Sequence, residues 1–204
     1  MKVKDNKKFW ERFARIYGPF MKPNEDLYKR ICDKIIPDLS SDMKVLEIAC
    51  GTGQLSFPLA PFVRHYEATD FSPAMIHEAN KNVVPLGLHF SVEDATSLSF
   101  ENESFDAVII ANALHIMPNP NKALSEIYRV LKKDGLLYAP TFLKGQTLKA
   151  KLRIRIIGLA GFRTYSHWNE KSFQDLMKKH SFTIRKCNVI QSSFLPLCYL
   201  AAKK

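Results

Sequence analysis

The chain has 204 residues, of which 46% are hydrophobic, 25% charged and 11% aromatic; this is one domain, or one with small additions, and the composition excludes a disordered or fibrous chain. Thirty Lys+Arg against 20 Asp+Glu leave a net charge of +10, which invites an anionic partner such as nucleic acid, a membrane surface or an acidic substrate. The excess is uneven: residues 1–44 carry 11 basic and 7 acidic side chains, residues 45–141 carry 6 and 11, and residues 142–204 carry 13 and 2.

In chain order, Phe9, Trp10, Phe13, Ile16, Tyr17 and Phe20 recur at helical spacing and predict an aromatic amphipathic helix over 9–20. Asn24 is a candidate cap for a second helix, with Glu25 and Asp26 in its first turn, Leu27, Ile31 and Ile35 as its stripe and Pro37 at its end. Val45 to Ala49 reads as a buried strand, and Gly51-Thr52-Gly53 turns it into a helix ending near Pro61. His65 to Thr69 is a second strand, Ser72-Pro73 a helix start and Leu88 to Val92 a third strand. The apolar run Phe105 to Ala111 suits a strand covered on both faces. Asn119-Pro120 opens a helix with Ala123, Leu124, Ile127, Val130 and Leu131 on its apolar face, ending at Lys132, Lys133 and Gly135. Leu136 to Ala139 is a fifth strand, 146–160 and Asn169 to Lys179 are helical, and Thr183 to Val189 with Phe194 to Ala202 form a closing antiparallel pair. Strands alternating with helices imply an α/β layered fold with a mainly parallel sheet.

Cys32, Cys50, Cys187 and Cys198 lie far apart with no CxxC, and the six histidines show no ligand spacing, so neither a zinc site nor a disulfide framework is expected and no metal is assigned. The charged opening Met1 to Lys8 leads into Glu11, Arg12 and Arg15 rather than an apolar core, and no apolar run is long enough to span a bilayer. A cytoplasmic location is expected.

The chemistry concentrates at Glu47-Ile48-Ala49-Cys50-Gly51-Thr52-Gly53, where a strand ends, two glycines follow and a helix begins. Glycine lets the backbone approach a ligand and take positive φ, although a lone GxG also fits a plain tight turn. The next strand ends in Asp70, where a carboxylate can accept both hydroxyls of a ribose; together these features indicate a nucleoside-containing ligand. A dinucleotide fits less well: Ser56 stands where the third glycine of G-x-G-x-x-G belongs, and Glu47 is poor company for two phosphates.

VLEIACGTG at 45–53 resembles motif I of class I S-adenosylmethionine-dependent methyltransferases. ATDFSPAMI at 68–76 is similar to their acidic second-strand loop, and VEDATSLSF at 92–100 to the loop that contacts adenine. SFDAVIIANALHIM at 104–117 resembles motif IV, and ALSEIYRVLKKDGLLY at 123–138 the helix and strand that follow. The nearest flavour is the type 11, or ubiquinone/menaquinone-methyltransferase-like, members, whose opening segment FWERFARIYGPFM also resembles.

The resemblance implies a Rossmann-like three-layer sandwich with a seven-stranded, mainly parallel sheet and an antiparallel C-terminal strand. Residues 1–204 would form one methyltransferase domain: a helical cap (1–40), a cofactor-binding core (41–141), a substrate-selecting insertion (142–168) and a C-terminal helix and strand pair (169–204). It implies S-adenosyl-L-methionine as cofactor, with S-adenosyl-L-homocysteine as product. Glu47, Ala49, Gly51, Thr52 and Gly53 would line its methionine end. Asp70 would hold the ribose, Phe71 and Met75 pack beside the adenosine, and Asp94 and Ala95 read the adenine. Asn112 and Leu114 would border the methyl site, with Tyr17 closing the pocket. Ala49 replaces the first glycine of the usual acid-x-Gly-x-Gly-x-Gly pattern.

Each residue has a plainer reading as well. Asp70 can cap a helix, Asp94 can be a surface acid, and Asp106 suits the sheet edge better than the cofactor. His115 is a candidate general base and equally a packing histidine; Tyr17 is a candidate catalytic residue and equally a core aromatic. His167 and Trp168 are candidates for a substrate pocket, and Cys50 is a packed small residue. The sulfonium is already a good leaving group, so the chain's work is to align a nucleophile and exclude water.

The leading function is methyl transfer to a small molecule. The alternatives are methylation of a quinone or lipid at a membrane surface, with peripheral contact through 144–163; a nucleic-acid methyltransferase; and a nucleotide-binding protein of another kind. Asn112-Ala113-Leu114-His115 is not the Asn/Asp-Pro-Pro-aromatic pattern of base-amine methyltransferases, which argues against that branch, and no separate RNA-binding module fits in 204 residues, so nucleic acid is the less expected partner.

Overall fold

The structure is a computed structural model that describes residues 6–143, 158, 161–192 and 195–204. The helix expected over 146–160 and most of the segment 144–163 lie outside the described residues. Strands β1 (Lys44–Ile48), β2 (His65–Asp70), β3 (Leu88–Val92), β4 (Phe105–Ile110), β5 (Leu131–Tyr138), β6 (Thr141–Phe142), β7 (Thr183–Ile190) and β8 (Leu197–Lys203) form one sheet. The order is β3-β2-β1-β4-β5-β8, with β7 on the far edge of β8. β6 continues the line of β5 along β8, Tyr138 facing Ala201 and Thr141 facing Cys198, so eight named strands make seven sheet positions. The pairs joining β3, β2, β1, β4 and β5 are parallel, and β8 runs antiparallel to its neighbours. This is the Rossmann-like, mainly parallel sheet with an antiparallel C-terminal strand that the sequence implies.

A parallel sheet needs both faces covered, and the composition of β1 and β4 meets that need: Val45, Leu46, Ile48 and Ala107 to Ile110 are all buried. On one face, helix α2 (Glu25–Ile35) packs Leu27, Ile31 and Ile35 against Val45, Tyr66, Ile109 and Tyr199. On the other, α5 (Pro120–Val130) and α6 (Glu170–Lys179) pack Leu124, Ile127, Phe173 and Met177 against Leu46, Val108 and Leu200. Helix α1 (Lys7–Met21) crosses over the strand ends, and the short α3 (Ser56–Leu59) and α4 (Pro73–Ala79) follow β1 and β2.

Three helix starts are set by side chains: Ser72 accepts from the Met75 N–H, Asn119 from Lys122, and Asn169 with Ser172 forms a reciprocal capping box. Asn24 does not cap α2. A 3-10 turn over Lys22–Asn24 joins α1 to α2, leaving Asn24 near helical dihedrals instead of the extended ones a cap needs, and its side chain turns elsewhere. The helix expected after Gly53 is a single turn continued by a 3-10 turn over Ala60–Phe62. The fifth strand starts at Leu131 and not Leu136, with Asp134 at φ 65° in an irregularity that spans the Lys-rich segment. The last strand runs Leu197–Lys203, slightly later than expected. Asp106 lies on the central strand β4 and not at the sheet edge, and it ties the neighbouring strands β1 and β5 by accepting from the Lys44 N–H at 2.8 Å and Lys132 Nζ at 2.6 Å.

Candidate active site

The turn after β1 takes three left-handed residues in five: Ala49 (φ 58°), Gly51 (φ 59°) and Gly53 (φ 92°). Alanine bears a cost of about 1–2 kcal/mol in that region, so the surroundings hold Ala49 against its preference. The Asp70 carboxylate fixes the turn: Oδ2 accepts from the Gly51 N–H at 3.0 Å and Oδ1 from Ser72 N–H at 2.9 Å. Burial raises the Asp70 pKa, opposed by these two N–H groups. A Cβ on Gly51 would lie 3.0 Å from Cε1 of Tyr17, and one on Gly53 would lie 2.6 Å from the Phe57 ring. The close approaches that require these glycines are thus to aromatic side chains of the chain itself.

Glu47 points away from this turn. Its Oε2 accepts from Ser56 Oγ at 2.6 Å and Tyr66 Oη at 2.9 Å, linking β1, β2 and α3 inside the core. Burial pushes its carboxyl up to about 7, against the two hydroxyl donors that lower it. Thr52 takes a hydrogen bond from Gln54, Leu114 is fully buried, and Cys50 is buried with its thiol pushed up by desolvation.

A cavity of about 870 Å³ opens where β1, β2 and β4 end, the place where open α/β sheets bind ligands, and its size lies in the usual range of roughly 300–1,000 Å³ for such sites. Ala49, Asp70, Phe71, Met75, Asp94 and Ala95 line it from the strand ends. Phe9, Trp10, Phe13, Tyr17 and Phe20 line it from α1, joined by Phe162. Among the described residues its charged lining is Lys7, Asp70 and Asp94. Asp94 Oδ1 accepts from the N–H and hydroxyl of Thr96, both at 2.8 Å, which sets the loop after β3.

Between these walls lies Asn112, the second residue after β4. Its φ is 54° and its N–H bonds the Pro140 carbonyl at 2.8 Å. Both polar atoms of its side-chain amide are buried, with the Tyr28 hydroxyl as their polar neighbour rather than an ideally placed partner. The Tyr28 hydroxyl is a polar neighbour of both Asn112 and Tyr17, and burial raises the pKa of each tyrosine.

His115 also faces the cavity, with Nδ1 3.1 Å from Thr141 Oγ1. Burial, and then His167, lower its pKa to about 4, so its ring is neutral near pH 7. Its carbonyl accepts from the Tyr165 and Ser166 N–H groups, which fastens the segment after residue 161 to the end of β4. Asn6 ties the same segment to α1: its amide donates to the Ile116 and Arg163 carbonyls and accepts from the Arg163 N–H.

Of the residues singled out from sequence, the fold brings Tyr17, Ala49, Asp70, Phe71, Met75, Asp94, Ala95, Asn112, His115 and His167 to this one cavity. Glu47, Gly51, Thr52, Gly53 and Leu114 stand beside it as support, and Trp168 packs on Phe173 with ring centroids 5.2 Å apart. Sequence reasoning missed Asn6, Asn24 and Tyr28 as lining residues. The local pattern offered Asn24 only as a cap and gave no signal for the other two. Among the described residues no group of three or more His, Cys, Asp or Glu could hold a metal ion, and no helix is long and apolar enough to cross a membrane.

A family profile described as a methyltransferase domain matches residues 46–139. A demethylmenaquinone methyltransferase of Leptospira interrogans is 34% identical over 139 residues, covering 62% of this chain and 56% of the relative. The ubiquinone/menaquinone biosynthesis C-methyltransferase UbiE of Rickettsia felis is 34% identical over 128 residues, covering 58% and 51%. The chain spans about half the length of these curated relatives. Among solved structures, a chain of the complex between the Haloferax volcanii Trm112 methyltransferase activator and a putative methyltransferase superposes with a TM-score of 0.82 at 16% identity, covering 97% of this chain and 96% of that one. Magnesium protoporphyrin IX methyltransferase from Synechocystis, solved with bound S-adenosylhomocysteine, gives 0.70 at 21% identity, covering 89% and 84%. The order of motifs, the strand order and the profile agree: over residues 46–139 this chain matches the methyltransferase-domain family and has the sheet of such domains.

Proposed function

We propose that the chain transfers a methyl group from S-adenosylmethionine to a small, largely apolar, ring-bearing acceptor. The observation that carries this reading is one cavity that brings together two carboxylates at the strand ends, Asn112 after β4 and an aromatic wall from α1. These residues fit the cofactor. Asp70, held by two backbone N–H groups, keeps lone pairs for the ribose hydroxyls, and Asp94, on the same cavity wall, would accept from the adenine amino group. Phe71, Met75 and Ala95 supply an apolar bed, and Ala49 brings the turn to the cavity. When bound, the cofactor supplies a methyl group on a positively charged sulfur.

The chain's own contribution is placement and dryness. The α1 rings and Phe162 cover the cavity and exclude water. Asn112 lines the space between the two walls, with its amide buried beside the Tyr28 hydroxyl. His115 is a weak base. Taking a proton from a phenol with a pKa near 10 would run uphill by roughly 8 kcal/mol. Its role is to orient an acceptor group by hydrogen bonding, with Thr141 fixing the ring. An aromatic wall and quinone-methylating relatives favour a quinone-like acceptor, taken from solution or from a lipid surface.

Calorimetry with S-adenosylmethionine and with NAD tests the reading. The methyl donor should bind and NAD should not, and Asp70→Ala should weaken the donor about 10- to 100-fold through the loss of charge-assisted hydrogen bonds. Tight NAD binding without donor binding would sink it. A donor-turnover assay across phenols, quinones, thiols and amines then identifies the acceptor.

A further inference from the structure

Helix α1 has three adjacent rows, each displaced by one residue. Trp10, Ala14, Tyr17 and Met21 face the molecule, and Ala14 is buried. The next row is Phe9, Phe13, Ile16 and Phe20, and the row beyond it is Lys8, Arg12 and Arg15, all three exposed. The spacing is helical, so the rows run side by side along the axis. The middle row is where the chain departs from ordinary packing. Ile16 is 56% and Phe20 52% exposed, although Phe13 and Phe20 touch with ring centroids 5.0 Å apart and Phe9, Phe13 and Phe20 all line the cavity. An apolar row that is at once cavity rim and open surface, flanked by cations, has the composition of an interfacial helix. Glu11, the acid of α1, lies on the side of the cationic row away from the aromatics.

We propose that α1 is a docking helix for an anionic lipid surface, with Lys8, Arg12 and Arg15 at the headgroups and Ile16 and Phe20 inserted, so that the cavity rim faces the bilayer and an apolar acceptor enters without crossing water. The proposal rests on the reading of an apolar acceptor and names its source. The partner follows from charge and wetting together. The cations alone would suit nucleic acid, but backbone phosphates offer nothing to an exposed Ile and Phe row, whereas a bilayer takes both rows at one depth.

The test is co-sedimentation with vesicles of about 30% phosphatidylglycerol in phosphatidylcholine, a composition that gives a negative surface potential, beside pure phosphatidylcholine vesicles. Binding should occur on the anionic vesicles and weaken as salt rises. The double variant Arg12→Glu, Arg15→Glu should weaken it at least about 25-fold, at about five-fold per charge lost. Ile16→Glu should weaken it on its own. Neither variant touches the cavity lining, so donor binding measured on the same preparations should stay unchanged. No binding to anionic vesicles at low salt, with donor binding intact, overturns the proposal and leaves the methyltransferase reading standing. Vesicle binding that ignores both variants overturns it too, because the docking face is then elsewhere. So does binding to an oligonucleotide instead of vesicles. Failure of the methyltransferase reading shows differently, as vesicle binding without donor binding.

Discussion

The two walls of the cavity are built on opposite principles. On the strand-end wall the polar groups are fixed before any ligand arrives: Asp70 is held by Gly51 and Ser72, Asp94 by Thr96, and Glu47 braces Ser56 and Tyr66 behind them. On the α1 wall Asn6 and Tyr17 have polar partners, but most of the lining is apolar. Rings touch rings, Trp10 against Phe9 at 4.9 Å, Tyr17 at 5.7 Å and Phe162 at 5.7 Å. Hydrogen bonds demand distance and direction, while apolar contacts are non-directional and tolerate repacking. A wall of the first kind suits a ligand that never changes, and one of the second suits a ligand chosen by shape.

If the division is right, substitutions should act on one wall at a time. Gly53→Val should have the largest effect, because its Cβ would lie 2.6 Å from Phe57 in a backbone region closed to valine. A stability loss above about 3 kcal/mol is expected in chemical denaturation; a near-native midpoint would show that the turn is not rigid. Glu47→Gln tests the brace. The raised Glu47 value means that the native state keeps a proton the unfolded chain releases from about pH 4.5 upward, so stability falls as pH rises through the window to about 7 and is level above it. The glutamine variant keeps an acceptor for both hydroxyls and should exceed the parent by about 3 kcal/mol near pH 8, with the difference vanishing near pH 4. Parallel stability-versus-pH curves would contradict the buried carboxyl.

Trp10→Ala should cost about 2 kcal/mol, since the ring is only half-buried, and should leave donor affinity unchanged while acceptor KM rises. A matching loss of donor affinity would break the separation of the walls. Ser72→Ala removes one cap on α4 and should cost about 1 kcal/mol with little effect on either ligand.

Asp70 shows where reading residues one at a time falls short. From sequence it is a ligand-binding acid, and its position at the end of β2 supports that. In the fold it also locks the glycine turn, so its removal should disturb the protein as well as the cofactor. Glu47 differs more. An acid inside an apolar strand suggests a ligand contact, yet strand alternation and the neighbouring Ser56 and Tyr66 turn it into the core. The partners come from α3 and β2, and no local pattern shows that their hydroxyls converge. Asn24 and Tyr28 were illegible for a related reason. Whether α1 continues through a 3-10 turn into α2 depends on how α1 crosses the strand ends, which residues 22–24 do not encode alone.

The charge has the same two-layered answer. The sequence by itself determined the strand order's raw material, the glycine turn, the acids after β2 and β3, and the acidic middle set between basic flanks. Those are local or periodic features, written in neighbouring residues. Only the tertiary structure decided which acids line the cavity, that α1 covers it, and that a cationic row and an open apolar row lie side by side at its rim. Those depend on contacts between residues far apart in the chain, and long-range contacts are set by the packing of whole elements rather than by the preferences of any one segment.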